Sequence, residues 1–532
     1  MRTRTTPWLL VGLLALVGCS DAGFADYGGD TDADGWGAAD DDTDFDTQPP
    51  EQEDDDFLAL PPSQTDVYVF VANPNRNTVT RIDVFSLDVK TVEVGADPRL
   101  VRVTPDYDYA VVFNRGGDSV SIVDSTTLEV WTTPVRDNYN AMRMSHDGAW
   151  VGLFHSQAAE QPDDPPPDGL QSFNEVSFVS VPDGVHHPMA VSFNPRDIQF
   201  SEDGTLAVVV ADEALWLVDL TQEVLVPQRV AVGSELDPPA AEEVVLSPSG
   251  QYAFVRQFGA DDLLVVDLGT GGLDRLPVGA GPTDLDLTPD GASAVVVSRT
   301  SGQVWVYTAD QPQLPPRVLD LPEPLSAGSV IFDPYGDQAV LFTTATNTTA
   351  YAIWDMQTDD VVVHDLVKPV RAMAVTPTGE SLLVLHSEAV APDTVPGSVW
   401  DTPWAMSLVS LDPTNYRENP IKLPAEPMGF ANAGDGLNGY FIMDGVTSLV
   451  EIDYVTLLYT EIRLKSVPVF VGVLPDLDDE DGMRPPAWAS QEHPLGRISF
   501  YHPPGSENGP GDGERGRLET ITGFELNSRI EE

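Results

Sequence analysis

The sequence predicts an all-β fold assembled from repeated four-stranded modules, and two observations lead there. A short apolar strand running into a Ser/Thr-Pro-Asp-Gly-like turn recurs at intervals of roughly 45 residues from about Val67 onward. Each such turn is followed by a second apolar strand, a third that often closes on Asp, and a weaker fourth. Units of this length cannot bury their own apolar faces and must stack on neighbours. Four strands per unit, with turn chemistry between them, describe the blades of a β-propeller.

The chain opens with Arg2 and Arg4, then an apolar run from Trp8 to Val17. That run is too short to span a bilayer as a mature helix but suits the core of a signal peptide. It closes on Leu16-Val17-Gly18-Cys19, and Cys19 is the only cysteine among 532 residues. An intrachain disulfide and a cysteine-based metal site are therefore excluded. This ending resembles the bacterial lipobox, in which a small residue precedes a cysteine that is lipidated and becomes the new N-terminus. The resemblance implies a signal peptide over residues 1–18 and a lipid on Cys19. It also implies durable anchoring, since each buried methylene contributes about 0.8 kcal/mol and lipobox proteins carry several acyl chains. Ser20 after the cysteine points, by the sorting pattern of some Gram-negative bacteria, to the outer membrane of the cell envelope.

Residues 19–56 form the next segment. Between Ser20 and Asp56 stand 15 acidic residues and no Lys or Arg. Low hydrophobicity and like charge leave nothing to offset the entropy of folding, so an extended, disordered tether is expected. Asp30, Asp32, Asp34 and Gly35 match the first half of a calcium loop, but position twelve is Asp41 where a bidentate Glu is needed.

The propeller is expected over residues 57–532. Its turns read VRVTPDYD (101–108), MRMSHDG (142–148), IQFSEDG (198–204), VVLSPSG (244–250), LDLTPDG (285–291), VIFDPYG (330–336) and MAVTPTG (373–379). Paired strands are plain in YVFVAN with TVTRID (68–73, 78–83) and in YAVVFN with SVSIVD (109–114, 119–124). Links read VGADP at 94–98 and VGAGP at 278–282. These features resemble the YVTN-type propeller repeat, which pairs a YV-x-N strand with a TVSVID-like strand and a VG-x-x-P link. The resemblance bears on fold, because this repeat serves surface-layer proteins, binding proteins and enzymes alike.

Counting strand pairs yields about ten modules, the last degenerate and running from Val467 to Phe524. Little before Val67 reads as a strand, so a strand at Leu526 to Glu532 is expected to complete the first blade and close one ring, removing free edges. Two smaller propellers, or seven to eight blades with merged units, are the alternatives.

Net charge is −58, from 85 acidic against 27 basic residues, which argues against nucleic acid and against lying on anionic lipid. Long insertions fall at Gln157 to Ser172 and Glu388 to Pro403, inside hairpins that open on one face of a propeller. His155 and His386 precede them and His493 occupies the equivalent hairpin of the last module, so these three are the candidate metal ligands. Arg99, Arg196 and Arg371 share one column at the start of a module, and Arg115, Arg256 and Arg299 end the next strand. Six guanidiniums at one face would suit carboxylate or sulfate groups. No nucleophile elbow, HExxH helix or phosphate-binding loop is present. Nothing asks for a cofactor, although the tether loop and Asp476 to Gly482 are places where Ca2+ could bind. The reading is a monomeric, lipid-anchored binding or scaffold module with an anionic glycan or envelope protein as partner. The alternative is a propeller enzyme of lactonase, quinoprotein or lyase type using the channel mouth.

Overall fold

The computed structural model describes residues 14–15, 63–156, 173–233, 241–257, 259–386, 395–412, 416–433, 436–456, 458–475, 484–491, 496–506, 509 and 515–524. Ten antiparallel four-stranded sheets follow one another along the chain, over residues 63–93, 98–134, 141–190, 195–231, 241–277, 282–320, 329–365, 370–422, 427–463 and 468–522. In each, strands a, b, c and d pair in sequence order from the centre outward. The ninth carries an additional pair, Leu14–Ala15, against Phe430 and Gly429 on its strand a. The tether, the insertion at 157–172, the first part of the other insertion (388–394), the acidic run at 476–482, His493 and Leu526 to Glu532 lie outside the described residues.

The repeated turn is held by its own polar side chains. Thr288 Oγ1 donates to Asp290 Oδ1 at 2.6 Å and accepts from Ser293 N at 3.0 Å. Ser145 does the same with Asp147 and Trp150 at 2.6 and 3.0 Å. The Gly that ends the motif is required twice over at Gly291. Its φ is +67°, and an added Cβ would lie 2.3 Å from Pro248 Cγ in the preceding blade's turn. Gly148, Gly336 and Gly379 likewise stand over Pro105, Pro289 and Pro334 of the preceding blade's turn. The Asp that closes strand c caps the following turn: Asp124 Oδ1 accepts from Thr126 N and Thr127 N, as Asp453 Oδ1 does from Val455 N and Thr456 N.

Ten apolar cores join the blades, each drawing on two consecutive ones. Phe70, Val79, Val101 and Val112 link the first two blades; Ala431, Tyr440, Val471 and Tyr501 link the last two. The tenth core decides the topology. Val69, Ile82 and Val84 of blade one pack with Leu474, Trp488, Phe500 and Phe524 of blade ten. The chain is therefore one ten-bladed ring, and the alternatives of two smaller rings or fewer blades are set aside.

The edge of blade one differs from expectation. Ser63–Gln64 supplies its strand a, pairing with Phe70 and Val69. The position assigned to Leu526–Glu532 is thus taken by residues just ahead of the blade. Two polar residues carry no strand pattern, but Gln64 has a specific role. It donates to the Val473 carbonyl and accepts from Trp488 Nε1 at 2.5 Å, tying the first blade to the last.

A bulge recurs at the second residue of strand a in seven blades, including the skipped positions Arg99, Arg196 and Arg371. Such bulges bend a strand and re-aim the extra side chain, here at the rim where strands b end and links enter.

Candidate functional site

That rim is built around the last residue of strand b. In blade one Asn73 Nδ2 donates to Thr78 Oγ1 at 3.0 Å and Thr80 Oγ1 at 2.8 Å, and Thr80 bonds Thr91 at 2.9 Å. Asn114, Ser121 and Thr132 repeat the ladder in blade two. The link passes so close that a Cβ on Gly95 would lie 2.6 Å from Asn114 Nδ2. In blade five Gln257 Nε2 donates to the Val232 carbonyl, and in blade ten Gln491 Oε1 accepts from Lys465 N and Ser466 N. The column pins the incoming link in blades that differ in sequence.

His155 and His386 occupy this same column. His155 Nδ1 bonds the Asn138 carbonyl at 2.9 Å, and His386 Nδ1 the Lys368 carbonyl at 3.1 Å. A carbonyl only accepts, so each Nδ1 carries the proton. Burial lowers the His386 pKa to about 4. The structure does not bring the two together: blades three and eight are five places apart on a ten-bladed ring. Among the described residues no group of three or more His, Cys, Asp or Glu is placed to hold a metal ion.

The arginines are matched to carboxylates. Arg99 Nε lies 2.9 Å from Asp97, Arg196 Nε 2.6 Å from Asp212, and Arg256 Nε 3.0 Å from Glu243. Arg371 pairs with Glu426 at 2.5 Å, its guanidinium 5.2 Å above the Trp404 ring. Arg115 sits on the rim, its amide bonded to the Asp97 carbonyl, and Arg299 is 8% exposed. All six occupy the rim as the sequence suggested, but four are neutralised one to one. Those four are held as ion pairs on the rim.

Blade eight carries the most elaborate construction. Lys368, fully buried, donates from Nζ to the Thr402 and Pro403 carbonyls at 3.2 and 3.0 Å. Trp400 meets His386 edge-on at 5.1 Å. Blade three answers with Phe173 against His155 at 5.0 Å, where the other insertion returns. The end of the blade-eight insertion is thus docked by a lysine, an imidazole and Arg371 over Trp404, while Val395, Pro396 and Gly397 stay exposed.

Beneath it, Ser407 Oγ lies 2.8 Å from His386 Nε2 and 2.9 Å from Glu418 Oε1. These are the groups of a hydrolytic triad in the wrong order. The serine stands between the other two, the imidazole leans on a backbone carbonyl, and Ser407 and His386 are 0% and 1% exposed. Ser407 has one proton to give. The chain from Lys368 to Glu418 is completed when the carboxyl is protonated, and burial raises its pKa in that direction. Lys368 and Glu418 were not singled out in the sequence, where nothing marks either as buried.

No family model matches the chain, and no curated protein matches it. Solved structures do resemble it. Dihydro-heme d1 dehydrogenase NirN is 16% identical over 67% of this chain and 73% of its own, with a TM-score of 0.42. A eukaryotic initiation factor is 11% identical over 75% and 97%, with a TM-score of 0.47. The Myceliophteria thermophila Cps50 (Swd1) β-propeller domain is 16% identical over 56% and 95%, with a TM-score of 0.33.

Proposed function

We propose that this chain is a lipid-anchored propeller of the bacterial envelope that acts as a binding or scaffold module, with the strand b–c rim as its recognition surface. The observation that carries this reading is the docking of the blade-eight insertion. A fully buried ammonium costs several kcal/mol to desolvate, and here its two bonds from Nζ hold the loop backbone at Thr402 and Pro403. A loop held this firmly presents Trp400 and its exposed neighbours in one arrangement, which lowers the entropy cost of binding. The lipobox-like cysteine and the acidic tether would hold the ring off an outer membrane. Cleavage ahead of Cys19 would also free the strand edge that Leu14–Ala15 covers. The partner is an anionic glycan or an envelope protein.

The test is an array of uronic-acid and sulfated oligosaccharides probed with the soluble ring, beside a lactonase and hydrolase panel. Binding that Trp400→Ala reduces at least tenfold, with no turnover, supports the rim reading. Turnover that Trp400→Ala leaves intact would contradict it.

A further inference from the structure

The polar ladder of blade eight is built differently from those of other blades. In blades one, two and ten, Asn73, Asn114 and Gln491 donate through an amide nitrogen to a strand c hydroxyl, and a strand d threonine completes the ladder. In blade three Tyr139 OH lies 2.9 Å from Ser177 Oγ, which lies 2.9 Å from His186 Nε2. Two hydroxyl protons fill those two gaps. Blade eight sets an imidazole on one side of its hydroxyl and a carboxyl on the other: His386 and Glu418 flank Ser407.

Protons decide what that ladder needs. His386 Nδ1 gives its hydrogen to the Lys368 carbonyl. Two gaps remain, 2.8 Å from Nε2 to Oγ and 2.9 Å from Oγ to Oε1, and the serine brings one proton. One further proton must be shared by His386 and Glu418. On the carboxyl, it makes Glu418 donate to Ser407 and Ser407 donate to Nε2. On the imidazole, it reverses both bonds. Without it, one gap holds two acceptors face to face, whichever way the serine turns. His386 is 1% exposed, and a buried acceptor left without a donor is costly.

The surroundings place that proton on Glu418. Burial and the Lys368 ammonium both oppose an imidazolium, whereas burial raises the Glu418 carboxyl. Arg417 precedes Glu418 in the chain. Tyr351 and Tyr416 feel the Glu418 charge; their hydroxyls bond at 3.1 Å, and His364 stacks on their rings at 5.4 and 4.1 Å. Burial raises both tyrosines and lowers His364, so all three are neutral near pH 7. Glu418 is only half-buried and exchanges its proton with solvent. At the other end His386 supports the loop. Trp400 meets it edge-on at 5.1 Å, and Lys368, whose carbonyl it binds, holds Thr402 and Pro403 through Nζ.

We propose that the proton shared by Glu418 and His386 is a latch on the blade-eight loop, holding residues 398–404 docked until rising pH removes it. The proposal rests on the rim reading and adds its regulation, since Trp400 is presented in one arrangement only while the latch is closed. The folded carboxyl titrates above its unfolded value. Its contribution is therefore complete below the unfolded value and lost as pH rises through the folded one.

The test is amide protection at 398–404 in the soluble ring, without any glycan, from about pH 5 to 9. Glu418→Gln carries an amide that donates to Ser407 at every pH, so it should stay latched throughout. Relative to this variant, wild type should lose about tenfold in protection as pH rises, the effect of one unmade buried bond. The His386 titration is common to both and cancels in the ratio. Ser407→Ala cuts the ladder. Above about pH 6.5, where an unfolded His is neutral, it should show low protection with no further fall, and it stands in if the Gln variant does not fold. A ratio of wild type to Glu418→Gln that is constant with pH, or a fall in Ser407→Ala equal to that of wild type, overturns the proposal. No ligand is present, so failure of the rim to bind glycans is separable from failure of the latch.

Discussion

Closing the ring depends on Trp488, and its removal gives the sharpest energetic expectation. The side chain is 1% exposed and packs among Val69, Ile82, Phe500 and Phe524. Its Nε1 donates to Gln64 Oε1, which beside the Gln64 bond to the Val473 carbonyl ties blade ten to strand a of blade one. Trp488→Ala removes a whole buried ring, at about 3–5 kcal/mol for a site that cannot collapse. The lost hydrogen bond adds about 1 kcal/mol. The sum, about 4–6 kcal/mol, is a large part of a net stability of about 5–15 kcal/mol. Urea denaturation should show it, with hydrogen exchange locating the loss, because a ring this large need not unfold in two states. Protection should fall first in residues 63–93 and 468–522. Trp131, on an outer strand and 39% exposed, is the control; its Ala variant should change stability by about 0.5 kcal/mol or less. A loss below about 1 kcal/mol for Trp488→Ala, or exchange rising equally in all blades, would refute closure at this junction.

Other expectations follow from the rim and the anchor. An unfolded His titrates near pH 6.5, whereas burial holds His386 at about 4. Between these values the unfolded chain binds the extra proton, so stability falls as pH is lowered through that window. The full loss, about 3 kcal/mol, is reached below the folded value. His386→Gln, which places the residue of blades five and ten in this column, should lose that dependence when urea midpoints are compared from pH 7 to 4. The raised Glu418 carboxyl acts in the opposite direction but is common to both proteins; parallel pH curves would refute the assignment. Lys368→Met exchanges two ammonium hydrogen bonds for relief of a buried charge, so global stability should move by no more than about 2 kcal/mol. Amide protection at 398–404 should still drop at least tenfold, and unchanged protection would show that the lysine does not hold the loop. Cys19→Ala should move the protein from the membrane pellet to the soluble fraction; equal retention would sink the lipobox reading.

Much of the fold was legible because each blade repeats the same local devices. Thr288 with Asp290 and Gly291, or Asp124 after strand c, are short-range arrangements that a sequence displays directly. What stayed hidden depends on register and distance. The arginine column at 99, 196 and 371 was visible, but not that each sits on a bulge, since a bulge exists only relative to a paired strand. His155 and His386 carry side chains typical of metal ligands. Their carbonyl partners lie on the incoming links, and a backbone acceptor leaves no mark in composition. Gln64 was missed because two polar residues show no alternation.

The separation of His155 and His386 and the packing of Trp488 against blade one both rest on ten blades in one closed ring. Electron cryomicroscopy of the soluble domain viewed down the ring axis tests this most directly. The account predicts a single annulus of ten radial sheets with blade ten flush against blade one. Two smaller rings, an open arc, or an annulus of seven or eight blades would contradict it.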